Sequence, residues 1–498
     1  MNKRFMIKKL AVTLSSIVLS TSFLFSANAL SNPYYNSNAN ELPDLGASAL
    51  TVLSIEKEKK LGEIIYNQLQ GQTAVLHDPL IREYINSLGN RLVAHSQDVK
   101  FPFTFFIINN PDINAFAFYG GYIGVHTGLI ANAETESQLA SVLAHEIAHI
   151  TQRHLARRKE AATRRSPLTL AGVIGSILLA AVNPQLMMAS MMATTASNQQ
   201  AMINFTRSNE QEADHIGMNV LATAGFDPYA AAEFFAKLQE KQRYMNKSFP
   251  FLITHPLANN RVTDARLRAQ QYEKKFFADS LDFLLINARI QGRYHSDSEN
   301  LVPLLRDKVK QSKGNRQYAA KYALAIALLD SKQLKEAEKL LDELNTFSPD
   351  SLYLLDTYSD LYIAQERPEQ YLDELKRAYQ LRPNNSVVTL NYANVLMSAK
   401  QTEKAIQILE YYLLMKPYDY IAMDLLRAAY KEAEDTTRYH ITTAELAALR
   451  ADYVSAISAI ERALMSMTED DRAEVARLEA LKIKYRTRQK YIRNIKGV

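Results

Sequence analysis

Residues Ser141–His154 read SVLAHEIAHITQRH and contain the pattern H-E-x-x-H at His145, Glu146 and His149. On an α-helix, residues four apart lie on the same face, so the two imidazoles converge on one point that can hold a metal ion. Glu146 is rotated by about 100° from His145, which places its carboxylate beside the position of a metal-bound water. The pattern therefore predicts a metal-binding helix.

The surrounding residues predict where this helix begins and which side of it is buried. Thr135-Glu136-Ser137-Gln138 has the form of a capping box, which marks the first turn of a helix. From there the apolar side chains recur with the 3.6-residue period of a helix with one buried side. They are Leu139, Val142, Leu143, Ile147 and Ile150.

A third metal ligand is expected downstream, because a catalytic zinc takes three protein ligands and leaves one position for water. A second helical pattern contains Asn209–Asp214 (NEQEAD) and ends near Gly225. Glu210 is our candidate ligand, and Asp214 on the same face is expected to accept a hydrogen bond from a ligand imidazole. Glu212 is expected to point away. An isolated acidic pair favours a solvated helix face, so the interpretation depends on the first motif.

A further histidine, His255, lies in Thr254-His255-Pro256-Leu257, where the proline restrains the backbone. It could donate a hydrogen bond to the oxyanion of a peptide under attack, bind the metal as a fourth ligand and leave the enzyme latent, or lie at the surface. Arg261 could pair with Asp214 or a substrate carboxylate, or be exposed to solvent. Three histidines are excluded as ligands by their spacing: His126, His154 and His215.

Upstream of the motif, helical patterns at Leu53–Gln70 and Pro79–Ser96 give way to strand-like segments. Aromatic and β-branched residues between turn-forming Asn, Pro and Gly predict a small β-sheet. Its strands are expected at Phe101–Ile108, Ala115–Tyr119 and Tyr122–His126.

Downstream of the motif, Leu168–Val182 is the most apolar segment after the N-terminal region and is followed by four methionines before residue 193. Fifteen residues of helix extend about 22 Å, which is too short for a ~30 Å hydrocarbon core. Residues 168–192 are therefore interpreted as a buried helix or as a Met-lined flap over a cleft, because methionine adapts to irregular surfaces.

Beyond about residue 270 a 34-residue period appears. Two sets of positions follow it: Pro349, Pro383 and Pro417, and Ala337, Tyr371 and Ala405. Helical pairs closed by proline at this period are typical of tetratricopeptide repeats, whose superhelix binds peptides or proteins on its concave face. Ala456 is the next small residue of this kind, but it lies 51 residues after Ala405, which indicates an insertion.

The N-terminus predicts export. Four basic residues in Met1–Lys9, an uncharged apolar stretch and Ala27-Asn28-Ala29 form a signal peptide with cleavage after Ala29; the alternative is an uncleaved anchor. Residues 30–50 are expected to be an extended segment. The remaining chain has about one net positive charge, which gives no argument for nucleic acid, and 47% hydrophobic residues with no cysteine exclude disordered and disulfide-stapled classes.

H-E-x-x-H, then E-x-x-A-D on a later helix, with Asn109–Ile130 (NNPDINAFAFYGGYIGVHTGLI) upstream, resembles the zinc metallopeptidases that include the CAAX prenyl proteases and the bacterial membrane heat-shock protease. Those relatives are embedded in membranes. An exported peptidase domain followed by tetratricopeptide repeats is similar instead to the periplasmic proteases of outer-membrane protein assembly. The resemblance implies one Zn²⁺ per chain held by His145, His149 and Glu210, with Glu146 as catalytic base. From its place in the loop, His255 is a second catalytic candidate.

The expected fold is α+β: a mainly helical, gluzincin-type metallopeptidase domain at 51–270 with a small sheet, then an all-α tetratricopeptide-repeat superhelix at 271–498. The resemblance implies partners: unfolded or misassembled outer-membrane proteins and the β-barrel assembly machinery, with no nucleic acid and at most peripheral membrane contact. The alternative function is a repeat-based chaperone or adaptor with a latent or structural zinc site.

Overall fold

The structure is a computed structural model that describes residues 53–72, 74–163, 196–245, 249–256, 260–294, 300–468 and 471–496. The predicted signal peptide, the extended segment at 30–50 and the predicted flap at 168–192 lie outside these residues. Among the residues described, no helix combines the length and the apolar character needed to cross a bilayer.

The N-terminal part of the described chain combines helices with a four-stranded sheet. Its elements are α1 Ile55–Gln72, β1 Val75–Leu76, α2 Pro79–Val93, β2 Thr104–Ile108, β3 Ala115–Phe118, β4 Tyr122–His126, α3 Thr127–Asn132, α4 Glu136–Thr151, α5 His154–Thr163, α6 Ala196–Thr223, α7 Ala230–Met245, α8 Pro250–Thr254 and α9 Arg261–Ala269. The three predicted strands correspond to β2, β3 and β4, and the short β1 was not predicted.

The sheet has the order β1-β2-β4-β3, in which β2 and β4 are parallel and β3 pairs antiparallel to β4. Gly120 and Gly121 form the turn between β3 and β4 with positive φ angles of 81° and 90°, a conformation that side chains disfavour. Because side chains alternate along a strand, one sheet face packs on α2 and α4 through Phe105 and Val125. The other face packs on α1 through Phe116.

Helix α4 carries the H-E-x-x-H motif and lies in the core, with Leu139, Leu143 and Ile147 fully buried. Burying each such side chain contributes about 1.5–3 kcal/mol relative to leaving it exposed. The predicted cap is present, because the Thr135 hydroxyl accepts a hydrogen bond from the Gln138 amide at 3.2 Å. The core therefore fixes both the start of α4 and the face that it presents.

Helix α6 packs along α4, and a glycine sets how close it comes. A Cβ at Gly217 would lie 3.1 Å from the backbone of Ala144 and of His145, closer than nearly all real Cβ contacts. The missing side chain lets α6 pass directly over the motif. As a result, the acidic residues one and two turns before Gly217 face the histidines of α4.

The C-terminal part is a series of helices: α10 Leu281–Arg289, a π-helical turn Ile290–Tyr294, α11 Leu301–Gln311, α12 Gly314–Asp330, α13 Leu334–Asn345, α14 Leu352–Ala364, a 3₁₀ turn Pro368–Tyr371, α15 Leu372–Leu381, α16 Ser386–Ser398, α17 Thr402–Met415, α18 Tyr420–Glu432, α19 Thr436–Leu449, α20 Tyr453–Met465 and α21 Arg472–Lys496. Successive helices pack as antiparallel pairs from α12 onward. The all-α repeat prediction is confirmed.

The backbone itself repeats with the predicted period. Non-glycine residues with positive φ end the first helix of successive pairs, and they follow one another at 34-residue steps: Lys332, Glu366, Lys400 and Glu434. The next such residue, Ala451, comes only 17 residues later, at the turn between α19 and α20. One additional helix, α19, therefore accounts for the 51-residue spacing between Ala405 and Ala456.

Helix α2 connects the two parts through a buried ionic group that we call the junction cluster: Asp78, Arg289, Tyr294, Tyr322 and Asp356. Asp78 caps α2 by accepting hydrogen bonds from Leu80 and Ile81 amides, and its other oxygen accepts one from Arg289 Nε at 2.6 Å. Arg289 Nη1 lies 2.7 Å from Asp356. Breaking a buried pair of this kind costs about 3–5 kcal/mol, so the repeats are firmly attached to the helix that packs on α4.

The later repeats also contact the N-terminal part. Arg82 of α2 donates to Asp419, the cap of α18, at 2.6 Å, and Arg488 of α21 donates to Glu63 of α1 at 2.9 Å. Between α1, the N-terminal ends of β2 and β4 and helices α17–α21 lies a cavity of about 1850 Å³. The later repeat helices therefore face the sheet-bearing part of the chain across this cavity.

Candidate metal centre

Four side chains converge in what we call the ligand cluster: His145 and His149 from α4, Glu210 from α6 and His255 after α8. One ligand-type atom from each lies within 4.8 Å of all the others. His145 Nε2 is 3.0 Å from His149 Nε2 and 3.3 Å from Glu210 Oε2. The three side chains that the sequence predicts to converge, His145, His149 and Glu210, therefore do lie together.

His255 is held inside this cluster by its surroundings. Its backbone amide donates to the Phe251 carbonyl at 2.8 Å, its ring packs on the Phe251 ring, and only 7% of the residue is exposed. Its Nδ1 lies 3.3 Å from His145 Nε2 and 3.2 Å from both Glu210 oxygens. The alternative of a solvated surface histidine is therefore wrong.

Behind His145 lies a carboxylate that is itself held by an arginine. His145 Nδ1 is 3.0 Å from Asp214 Oδ1, and Arg261 donates to both Asp214 oxygens at 2.7 and 2.8 Å. Burial lowers the pKa of His145, but the bonds to Asp214 and Glu210 outweigh it and raise that pKa to about 10. Burial also raises the pKa of Asp214, yet Arg261 and His145 hold it below its usual range.

Arg261 is one of the most deeply buried side chains, with 2% of its surface exposed, so the alternative of a solvent-exposed arginine is wrong. Besides Asp214 it lies 3.0 Å from Glu210 Oε2 and donates to the Pro256 carbonyl at 3.1 Å. It thereby ties the loop that carries His255 to Glu210 and Asp214 of α6. Burial lowers the pKa of Arg261, but the two carboxylates together raise it above its ordinary value.

Behind His149 lies another imidazole. His149 Nδ1 is 2.8 Å from His154 Nδ1, and His154 Nε2 is 3.0 Å from Glu212 Oε2. His154 is not a member of the ligand cluster, but its contact with His149 was missed because its spacing was read along one continuous helix. Helix α4 ends at Thr151, and Arg153 has a φ of 53°, so His154 begins a new helix with a different direction.

Burial and the neighbouring imidazoles affect the pKa of His149 in the same direction. Burial is the largest cause and lowers the pKa well below its ordinary value, and His145, His154 and His255 lower it further, against the attraction of Glu210. His149 is therefore neutral at pH 7, which is the form that ligates metal. His126, also excluded as a ligand, lies outside the cluster, and burial lowers its pKa to about 4.

Glu146 lies beside the cluster with 1% of its surface exposed. Its Oε1 is 3.2 Å from His255 Nε2, and its Oε2 accepts no hydrogen bond from any residue in the described part of the chain. An unpartnered buried acceptor costs about 1–3 kcal/mol, so it indicates a site made for another group. Three imidazole nitrogens, a carboxylate and this free oxygen fit a divalent ion with a water beside it.

A helix with H-E-x-x-H, a second helix supplying a glutamate and a small sheet beside them define this protein as a metallopeptidase. The chain belongs to peptidase family M48, whose family model matches residues 79–269. A tetratricopeptide repeat model matches residues 358–419.

Relatives of known name are similar over most of the chain. The beta-barrel assembly-enhancing protease of Yersinia pestis is 43% identical over 388 residues, which cover 78% of this chain and 80% of the relative. The protein of the same name from Escherichia coli (strain K12) is 43% identical over 397 residues, or 80% and 81% of the two chains. A putative beta-barrel assembly-enhancing protease of Vibrio cholerae is 42% identical over 418 residues, or 84% and 86%.

Proposed function

We propose that this chain is a zinc-dependent endopeptidase of the periplasm that acts in the assembly and quality control of outer-membrane β-barrel proteins. The observation that carries the chemistry is the convergence of His145, His149 and Glu210 beside the unpartnered carboxylate of Glu146. The names of the relatives and the predicted signal peptide support the compartment and the class of client.

In the proposed mechanism, His145, His149 and Glu210 would hold the zinc ion. When bound, zinc lowers the pKa of a coordinated water toward ~7 and polarises a peptide carbonyl. Glu146, beside the cluster, would take up a proton from the attacking water and return it to the leaving amine. Asp214 accepts the Nδ1 proton of His145, so that the Nε2 lone pair would be directed at the cluster once zinc displaces the proton on Nε2.

His255 occupies the side of the cluster where a water would lie, because its two ring nitrogens contact Glu210 and Glu146. We propose that this arrangement is a latent form in which His255 is the fourth ligand. We propose further that, once displaced from that position, the His255 imidazole donates a hydrogen bond to the developing oxyanion. His255 would then be the fourth ligand in the latent form and the oxyanion donor in the active form, which are the two functional roles that the sequence left open.

The proposed substrate is an extended backbone. Strand β3 ends the described sheet and packs beside α4, so a peptide could add to its outer side as a further strand. Such pairing does not select side chains, and selection would then depend on delivery by the repeats.

The test is to measure zinc content and the cleavage of casein and of a urea-unfolded outer-membrane barrel. Wild type, Glu146→Gln, His255→Ala and the control Glu240→Gln are compared, the last at an exposed position of α7. We expect zinc in wild type and cleavage by His255→Ala above that of wild type. No zinc and no cleavage by any variant would overturn the proposal.

A chaperone or adaptor function is the second candidate, and the cavity between the repeats and α1 favours it. Leu414 and Tyr418 line this cavity and are each 78% exposed, so apolar surface is available to an unfolded client. Leu414→Ser with Tyr418→Ser should weaken client binding by the inactive Glu146→Gln protein. Leu381→Ser is the control, because Leu381 is 81% exposed and does not line the cavity.

A further inference from the structure

His154, Glu212 and Arg157 form a chain of contacts that ends on a ligand of the proposed zinc site. We infer that His154 and Glu212 are positioning residues that set the tautomer of His149, and this inference rests on the proposed function. Neither residue belongs to the ligand cluster, and both act through His149.

The contacts are short and shielded from water. His149 Nδ1 and His154 Nδ1 are 2.8 Å apart, which requires one proton between them. Glu212 Oε2 is 3.0 Å from His154 Nε2 and accepts a further hydrogen bond from Arg157 Nη1 at 3.0 Å. The two rings are nearly perpendicular, at 78°, and only 4% of His154 is exposed.

With neutral imidazoles, the Glu212 carboxylate fixes the direction of every hydrogen bond in this chain of contacts. The Glu212 carboxylate is held by Arg157 and can only accept, so His154 carries its proton on Nε2. A neutral His154 then has a bare Nδ1, which can only accept from His149. His149 therefore carries its proton on Nδ1, and its Nε2 keeps the lone pair that a metal ion needs.

The reverse tautomer would disable the site. If His154 donated from Nδ1, His149 would carry its proton on Nε2, which points at His145 and Glu210. A nitrogen that carries a proton there cannot coordinate metal. Glu212 thus selects the ligating tautomer of His149 through two successive hydrogen bonds, with His154 between them.

The backbone bend that places His154 is itself anchored. Arg153, with its φ of 53°, donates from Nε to Glu58 at 2.8 Å and from Nη2 to the Leu53 carbonyl at 2.7 Å. A non-glycine residue in this region costs of order 1 kcal/mol and persists only when its surroundings impose it. The fold therefore holds His154 against His149.

The experiment compares His154→Leu with His154→Asn, two side chains with the same number of non-hydrogen atoms and the same branching. Asparagine keeps an acceptor close to the position of Nδ1, whereas leucine removes it. Zinc dissociation constants are measured by chelator competition, the d–d absorption of the cobalt(II)-loaded protein reports coordination, and melting of the metal-free proteins reports folding. Glu212→Gln, which can donate as well as accept, is measured beside the exposed control Glu240→Gln.

We expect His154→Leu and Glu212→Gln to weaken zinc binding about 10- to 100-fold, while His154→Asn stays within about threefold of wild type. The cobalt spectrum should change only in the two weakened variants. Equal zinc affinity in the leucine and asparagine variants would overturn the inference while leaving the proposed function intact. Failure of wild type itself to bind zinc would instead contradict the proposed function.

Discussion

The ligand cluster and the junction cluster are both buried and both built from charged side chains, but they differ in how the charges are balanced. In the junction cluster, Arg289 lies between Asp78 and Asp356, with an opposite charge within 3 Å of each group. In the ligand cluster, imidazole nitrogens face one another at 3.0 Å, and Glu146 Oε2 has no partner among the described residues. Each of the two carboxylates in the junction cluster therefore faces a cation, whereas the ligand cluster leaves a carboxylate oxygen for a ligand.

The largest expected effect is that of Glu146→Gln, which should lower activity without lowering stability and so distinguish the ligand cluster from the junction cluster. In a His255→Ala background, we expect kcat to fall by about 10²–10⁴-fold because the group that takes up the proton is lost. The melting temperature should not fall, since an unpartnered buried carboxylate is replaced by a neutral amide. Cleavage assays and thermal unfolding of the same preparations check this, and full activity of the double variant would contradict the role of Glu146.

Arg289→Met should show the opposite pattern. Loss of the cation leaves Asp78 and Asp356 buried without a counter-charge, so we expect the free energy of unfolding to fall by about 3–5 kcal/mol. Zinc affinity should stay within error in the folded fraction. Urea unfolding measures the loss, and the neutral triple variant with Asp78→Asn and Asp356→Asn should recover part of it. A triple variant as unstable as Arg289→Met would contradict the charge argument.

Asp214→Asn tests whether a residue outside the ligand cluster, hydrogen-bonded to His145, affects the zinc affinity. The amide gives the Nδ1 proton of His145 a weaker acceptor, so we expect zinc affinity to fall about 10- to 100-fold. Chelator competition measures this, with Glu240→Gln as the charge-matched control. Unchanged affinity would show that Asp214 serves the fold alone.

The smallest expected effect is the acid response of the junction cluster. Burial raises the pKa of Asp78, but Arg289 and Tyr294 hold it below its ordinary value of 3.8. The carboxylate therefore contributes stability that is fully present above about pH 4 and is lost as the pH falls toward the lowered pKa. In chelator, the stability difference between wild type and Asp78→Asn should shrink below pH 4. A difference that grows on acidification would contradict this sign.

The parts of the site that follow a helical period could be predicted from the sequence. The spacing of His145 and His149 places them on one face of α4, and the spacing of Glu210 and Asp214 places them on one face of α6. The site then followed from one further assumption, that these two faces meet. The repeat period was equally visible, because each pair of helices contacts mainly its neighbours.

The parts that depend on the end of a helix or on distant packing could not be predicted. The contact of His154 with His149 could not be predicted, because Arg153 ends the continuous helical spacing from which His154 was excluded as a ligand. Asp78 and Arg289 lie 211 residues apart, so no local pattern links them. Gly217 is an ordinary helix residue in the sequence, and only the packed structure shows that it sets the distance between α4 and α6.

The contacts at both ends of the repeat series restrict how this protein can change in length. Ordinary solenoids gain and lose units freely, because each unit meets only its neighbours. Here Arg289 fixes the first helix of the series to α2, while Arg488 of the last helix reaches Glu63 of α1. Deleting or duplicating one unit would move the final helix away from Glu63. The number of helices between the two contacts, including the extra helix α19, is therefore fixed by the contacts at both ends.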